Sequence, residues 1–321
     1  MPIHRRGALA LLGATLVPLA YGQSFPARPL KIVVPFGAGG VADLTARTVA
    51  QQLSQSLAQP VVIENRPGAG GVAASEAVAR AAPDGHTLLL MSNASAISAT
   101  LFRSLPYDTV RDFTPVSTLG FFDIAVLVSA ASPWRTLADL LAHARAHPGQ
   151  LNVGSINIGS TQHLAAELFK THAGLDLQIV PFNGTPAVVN ALRGGQIDAA
   201  VEILAPVMGQ IQGGALRALV VTGAQRSPLL PEVPTAREAG LPDYLASSWN
   251  ALAVPAATPP EVVARLNREI VAAVGAPAVA ARLRELNVAP RAGTPAQAAE
   301  LLRSEIRRWG EVIERAGIPR Q

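Results

Sequence analysis

The sequence predicts a two-lobed α/β protein, each lobe a central β-sheet flanked by helices, with two crossing strands between the lobes as a hinge. Three observations carry this. Short β-branched runs alternate with helical patterns from Pro29 onward, the signature of parallel βαβ units. The alternation starts afresh after a long apolar run at 121–128, and a second such run stands at 249–254. The 321 residues exceed the size at which one hydrophobic core keeps growing, so two domains are expected. The expected divisions are a leader at 1–22, a first lobe from 23–124 plus 247–321, and a second lobe from 125–246.

The leader comes first. Arg5 and Arg6 give a positive start, 8–19 is apolar, and Ala20-Tyr21-Gly22 supplies small residues at −3 and −1 for a signal peptidase. The apolar run is too short to span a bilayer, and no second long one follows. The arginine pair faintly resembles a twin-arginine signal, but nothing asks for folded export, so the general secretory route is expected. There is no cysteine, which removes disulfides and a lipid-modified cysteine tether. An exported, untethered chain points to a Gram-negative periplasm.

In the first unit, strands are expected over 30–36, 60–64 and 86–91, with helices over 41–57 and 71–82. Leu44, Val49, Ala50, Leu53 and Leu57 recur at close to helical spacing. The second unit repeats the pattern, with helices over 137–146, 161–173, 187–192 and 205–212 and strands over 151–154, 178–181, 197–201 and 216–221. The remainder is helical, over 260–274 and 277–286. A final amphipathic helix with Leu301, Leu302, Ile306, Trp309 and Ile313 on one face returns to the first lobe.

Composition narrows the function. Hydrophobic residues make up 49% and charged residues 15%, the balance of a well-buried α/β protein. The formal charge of +4 includes Arg5 and Arg6, and the other basic residues are dispersed, so no nucleic-acid face is expected. An aromatic content of 4% argues against a sugar cleft lined by stacking rings.

The segment PFGAGGVAD at 35–43 is the most informative. A buried strand ends, glycines let the backbone bend closely, and a helix begins. The N–H groups of that first turn have no partner within the helix, and the helix dipole favours negative charge, so the turn suits an anion. Asp43 can cap those groups and hold the loop's shape. A Walker A loop needs Gly-Lys-Ser/Thr, and Gly37-x-Gly39-Gly40 misses G-x-G-x-x-G, so the nucleotide reading fails. A second glycine loop, ENRPGAGG at 64–71, also joins a strand to a helix. Loops from one parallel sheet gather on one edge, where open α/β sheets bind ligands. Its Arg66 either pairs a ligand carboxylate or is solvated or bridging.

In the second unit, GSINIGSTQH at 154–163 repeats the logic. Ser160 or Thr161 is a natural N-cap, and Ser155 with them reads as a second polar wall. His163 reads as packed. Ser160 and His163 together raise the alternative of a serine hydrolase, but no G-x-S-x-G elbow exists. His143 and His147 have a metal-like spacing, yet His147 precedes Pro148 and no acid is adjacent, so a helix C-terminal pair is the better reading. No catalytic residue, metal or cofactor is assigned.

Taken together the motifs resemble those of the periplasmic substrate-binding components of tripartite tricarboxylate transporters, the Bug family. The resemblance covers nearly all of the chain after the leader. It rests on PFGAGGVAD (35–43), VIENRPGAGG (62–71), AAPDGHTLL (81–89), GSTQHLAAELF (159–169), GGQIDAAV (194–201), LPEVPTAREAGLP (230–242) and ATPPEVVARLN (257–267). It implies a fold like the type II periplasmic binding proteins, with a ligand carboxylate met between the lobes by main-chain N–H groups and waters.

By position, the resemblance gives Phe36, Ala38, Gly39, Gly40 and Asp43 in the first loop, with Ser92 and its neighbours Asn93 and Ala94. The second lobe gives Ser155, Gly159, Ser160, Thr161 and His163, with Asp198 beside the cleft. Three departures bear on ligand identity: Asn157 for a common glycine, Asn183 in Phe182-Asn183-Gly184 for Tyr-Lys-Gly, and Trp249-Asn250-Ala251 for Trp-x-Gly. The implied function is a monomeric receptor for a small mono- or dicarboxylate, acidic amino acid or aromatic acid. It passes the ligand to transporter permease subunits or reports it to a sensor kinase.

Overall fold

The computed structural model describes residues 25–321, so the expected leader at 1–22 lies outside the described residues. β1 (Leu30–Val34) leads through a glycine loop into α1 (Val41–Ser56), and β2 (Val61–Asn65) through a 3-10 turn at Ala69–Gly71 into α2 (Val72–Ala79). β3 (Thr87–Ser92) runs directly into α3 (Asn93–Leu101), and β4 (Phe113–Ser129) follows. Next come α4 (Leu137–Ala146), β5 (Asn152–Ile156), α5 (Thr161–Ala173), β6 (Gln178–Phe182), α6 (Thr185–Arg193), β7 (Ala199–Ile203), α7 (Leu204–Gln212) and β8 (Leu216–Val221). β9 (Ser247–Pro255), α8 (Pro260–Gly275), α9 (Pro277–Glu285), the short β10 (Ala289–Pro290) and α10 (Pro295–Arg315) complete the chain.

β4 belongs to two sheets. Its residues up to Asp123 pair antiparallel with β9, and from Ile124 onward it pairs antiparallel with β7 and β8. The first sheet runs β2-β1-β3-β9-β4, and the second places β8 on one side of β4 and β7, β5 and β6 on the other. Two α/β lobes joined by two crossings are the outcome. Thr222, 1% exposed, ties the crossings together: its N–H donates to the Ile124 carbonyl at 2.9 Å, and the Ala246 N–H donates to its carbonyl at 3.0 Å.

Sequence pattern located β4 only from residue 121, because Pro115 and Gly120 interrupt the apolar run. The strand absorbs both as register shifts between Pro115 and Ser117 and between Thr118 and Gly120. Gly120 has no room for a side chain, since a Cβ would lie 2.8 Å from the Ala289 carbonyl of β10. α3 also escaped sequence pattern: small residues blur its periodicity, while a reciprocal capping box of Ser92 and Ser95 starts it.

Three apolar layers hold the elements. One lies on the first sheet under α1, α8 and α9, touched also by Ile203 of β7, and one on the second sheet under α6 and α7. The third is continuous across both lobes. It joins Ile97 and Leu101 of α3 and Leu302, Trp309, Val312 and Ile313 of α10 to Leu164, Leu168 and Phe169 of α5. The final helix thus returns to the first lobe, with Leu302, Trp309 and Ile313 buried and Leu301 and Ile306 half-buried.

Candidate functional site

Strand direction brings the loops together. β3 and β4 run the same way, because both are antiparallel to β9, so the C-terminal ends of β1, β2 and β3 point where β4 leaves the first sheet. β5, β6 and β7 run against β4, so their C-terminal ends point back. The two sets of loops face each other across the crossing, where Asp123 pairs with Ser247. Each set is followed by three helix starts, α1, α2 and α3 on one side and α5, α6 and α7 on the other.

In the first lobe, Gly40 is the N-cap of α1, with no side-chain cap, and Gly39 takes the left-handed φ of 84°. Ala38, Gly39 and Gly40 are exposed, while Phe36 is half-buried against the α1 core. Asp43 is 1% exposed and accepts from the Gly39 N–H at 2.9 Å, from Arg47 Nε at 2.9 Å and from Asn65 Nδ2 at 2.8 Å. Asn65 Nδ2 also reaches the Phe36 carbonyl at 3.0 Å. Asp43 therefore sets the loop's shape and leaves the N–H groups of Val41 and Ala42 without helical acceptors. Burial alone would raise its carboxyl, but the bonds from Arg47, Gly39 and Asn65 outweigh it and hold it below the usual carboxylate range.

The Asp43 clamp gives a testable magnitude. Asp43→Ala is expected to cost about 2 kcal/mol at pH 7, more than a simple cap, because Gly39, Arg47 and Asn65 lose an ionised partner together. Urea unfolding of the two proteins measures it, and a loss of a few tenths of a kcal/mol would deny the clamp.

The second glycine loop packs on the first: a Cβ on Gly71, at φ 70°, would lie 2.8 Å from Pro35 Cβ. Arg66 bonds Glu64, which also pairs with Lys31 at 2.9 Å, so Arg66 bridges within its own loop. Ser92 is 5% exposed and caps α3 by accepting from the Ala94 N–H at 3.2 Å.

In the second lobe, Ser160 caps α5. Its hydroxyl accepts from the His163 N–H at 3.0 Å and donates to the Ile156 carbonyl at 2.8 Å. The His163 side chain is 8% exposed and stands 3.9 Å from Glu167, and burial lowers its pKa. The hydroxyl's proton thus points at a main-chain carbonyl and not at an imidazole, which is no nucleophile–base pair. Thr161 opens the helix, nearly buried, and Ser155 is fully buried with no partner for Oγ. Gly159, at φ 80°, has Leu101 of α3 so close that a Cβ would overlap it, which makes this loop a contact between the lobes. Asn183 is exposed in the turn before α6.

Asp198 does not join them. It precedes β7 and accepts from the Asn152 N–H at 2.8 Å, at the start of β5. Parallel strands put both strand starts on the edge opposite the cleft-facing loops, which corrects its expected place beside the cleft. His143 and His147 stack with ring centroids 4.4 Å apart at the end of α4. Among the described residues, no cluster of three or more His, Asp or Glu side chains is arranged to hold a metal. A concavity of about 750 Å³ lined by Thr136, Arg217, Leu219 and Glu238 lies by β8 and shares none of the cleft-facing residues.

The model of the tripartite tricarboxylate transporter family receptor matches residues 45–318. The chain belongs to that family. BugT of Bordetella pertussis is 38% identical over 298 residues, which is 92% of this chain and 91% of BugT. An R. palustris protein solved with adipate superposes with a TM-score of 0.81 at 36% identity, covering 92% of this chain and 99% of the other. MatC from Rhodopseudomonas palustris with bound malate gives 0.77 at 35% identity, covering 90% and 100%. BugD, a periplasmic binding protein, has the same fold at 28% identity and a TM-score of 0.79. No helix among the described residues of this family receptor is long and apolar enough to cross a membrane.

Among residues of the receptor's facing edges, Asn93 and Asn250 entered the sequence reading only as a neighbour of Ser92 and as a departure from Trp-x-Gly, and Gln162, Thr185 and Glu202 were not singled out. Asn93 and Asn250 are fully buried beside Ser92, each with an unpartnered Oδ1. Asn93 Nδ2 donates to the Ser247 carbonyl at 2.8 Å, linking α3 to the second crossing. Gln162, Thr185 and Glu202 form a cluster in the second lobe. The signal for Glu202 was present: a lone acid inside the apolar strand AAVEI.

Proposed function

We propose that this receptor captures a small carboxylate between a lobe of residues 23–124 plus 247–321 and a lobe of residues 125–246. It does no chemistry on the ligand. The observation that supports this is the start of α1, where an exposed glycine loop clamped by Asp43 leaves first-turn N–H groups without a side-chain cap at the edge where the first sheet's strands end. Phe36, Ala38, Gly39 and Gly40 form the carboxylate cradle, with Asp43 holding its shape. Ser92, Ser155, Gly159, Thr161 and Asn183 complete the pocket, and Ser160 and His163 shape the α5 turn. Relatives solved with adipate and with malate support a carboxylate. The receptor works in the periplasm as a monomer and delivers its ligand to the permease subunits of a tripartite tricarboxylate-type transporter.

A ligand that binds only the folded state adds about 2.7 kcal/mol at a hundredfold excess over Kd, a thermal shift of a few degrees. Screening C3 to C8 mono- and dicarboxylates, acidic amino acids and aromatic acids is expected to give at least one such shift. The matching amides and esters are expected to give none, because helix-start N–H groups favour negative charge. The hit reduces the radius of gyration in small-angle scattering as the lobes close. Uncharged analogues that shift melting as strongly as the acid would remove the cradle, and Ser160-dependent turnover of esters would remove the receptor reading.

A further inference from the structure

Glu202 is fully buried at the C-terminal end of β7, opposite Ala125 of β4. Its Oε2 accepts from Thr185 Oγ1 at 2.9 Å and from Gln162 Nε2 at 3.4 Å, while its Oε1 has no partner. Thr185 and Gln162 sit in the first turns of α6 and α5, next to Asn183 and Thr161. The carboxyl therefore lies directly behind the second lobe's half of the cleft. Burial pushes it up to about 7, against the hydrogen bonds from Thr185, Gln162 and the Ile203 N–H.

The titratable groups on the elements packed around it are few. α5 carries His163, lowered by burial, and Glu167, raised by burial. β4 carries Asp123, two residues before Ala125 and on the same face, also raised by burial. α6 and α7 carry none in their first turns, and Arg217 of β8 is bound to the carbonyls of Ala130 and Trp134 at the far end of that strand.

We infer that Glu202 is a binding residue of the second lobe that takes up one proton from solvent when a carboxylate enters the cleft. The inference rests on the carboxylate reading above. An anion brought against the starts of α5 and α6 opposes a second negative charge on Glu202. The neutral carboxyl turns Oε1, which has nothing to accept, into an O–H donor among the donors of the helix starts. Only the Glu202 O–H bond forms; the ligand stays ionised.

Because free Glu202 is partly ionised at neutral pH, uptake is about half a proton at pH 7 and approaches one at pH 8. Affinity then falls about tenfold from pH 6 to pH 8.

Isothermal titration in phosphate and in Tris, whose ionisation heats differ, counts the protons. Malate, succinate, adipate, glutamate and benzoate serve as individual probes. The wild type is expected to show the uptake at pH 8, where His163 is neutral and supplies nothing. Glu202→Gln, which keeps an acceptor for Thr185, is expected to lose both the uptake and the pH dependence, and Asp123→Asn to keep them. Binding with equal heats in both buffers overturns the proton link and leaves the carboxylate reading standing. Uptake that survives in Glu202→Gln overturns the assignment to this residue. A wild type that binds no probe overturns both readings.

Discussion

Glu202→Gln is expected to stabilise the ligand-free protein by about 3 kcal/mol at pH 8 and to leave it unchanged at pH 4. The Glu202 carboxyl lies at about 7 in the folded protein against a model value of 4.5. Between those values the folded state holds a proton that the unfolded chain has released. The stability that the neutral carboxyl contributes is present in full below 4.5 and is lost as pH rises through 7. Glutamine has nothing to release, and its amide oxygen still accepts from Thr185. In urea unfolding from pH 4 to pH 8 the wild-type stability is expected to fall by about 3 kcal/mol relative to the variant, whatever the shared groups add to both curves. Parallel curves for the two proteins would move the effect to Asp123 or Glu167, the other carboxyls that burial raises.

Gly40→Val is expected to abolish ligand binding, a loss beyond a hundredfold or about 2.7 kcal/mol, while the protein still folds. Gly40 adopts φ −76° and ψ 167°, an extended conformation open to valine. An added Cβ meets only the Gly37 carbonyl, at 3.8 Å. Replacing glycine at an N-cap costs about 1 kcal/mol or less. The branched side chain nevertheless stands beside the N–H groups of Val41 and Ala42, where a carboxylate has to approach. Circular dichroism checks the fold and calorimetry the binding. Retained affinity would mean that the carboxylate is met elsewhere.

Much of this was legible from local pattern. The PFGAGGVAD loop, the Ser160 cap and the inward face of α10 each follow from a rule that acts within one turn or one strand. The crossings were legible as apolar runs, although Pro115 and Gly120 hid the first half of β4. What local pattern does not carry is which strand ends share an edge. Asp198 lies only four residues before Glu202, yet the length of β7 separates them, so one belongs to the cleft-facing edge and the other to its opposite. Of the clamp on Asp43, the Arg47 pair is a local i,i+4 contact within α1, while Asn65 escaped for the same reason as Asp198, since β2 reaches α1 only once the sheet has formed.

The position of β9 between β3 and β4 sets an order of events during synthesis. β3 pairs with residues 250–253 and β4 with residues 247–255, so the first lobe cannot close its sheet before the whole second lobe has been made. Such distant pairings fold slowly, because the ends of a long loop must be ordered before any contact compensates. The early strands meanwhile expose unpaired edges, which makes the unfinished chain dependent on protection from aggregation. That delay keeps the first lobe's sheet open until the second crossing strand has been made.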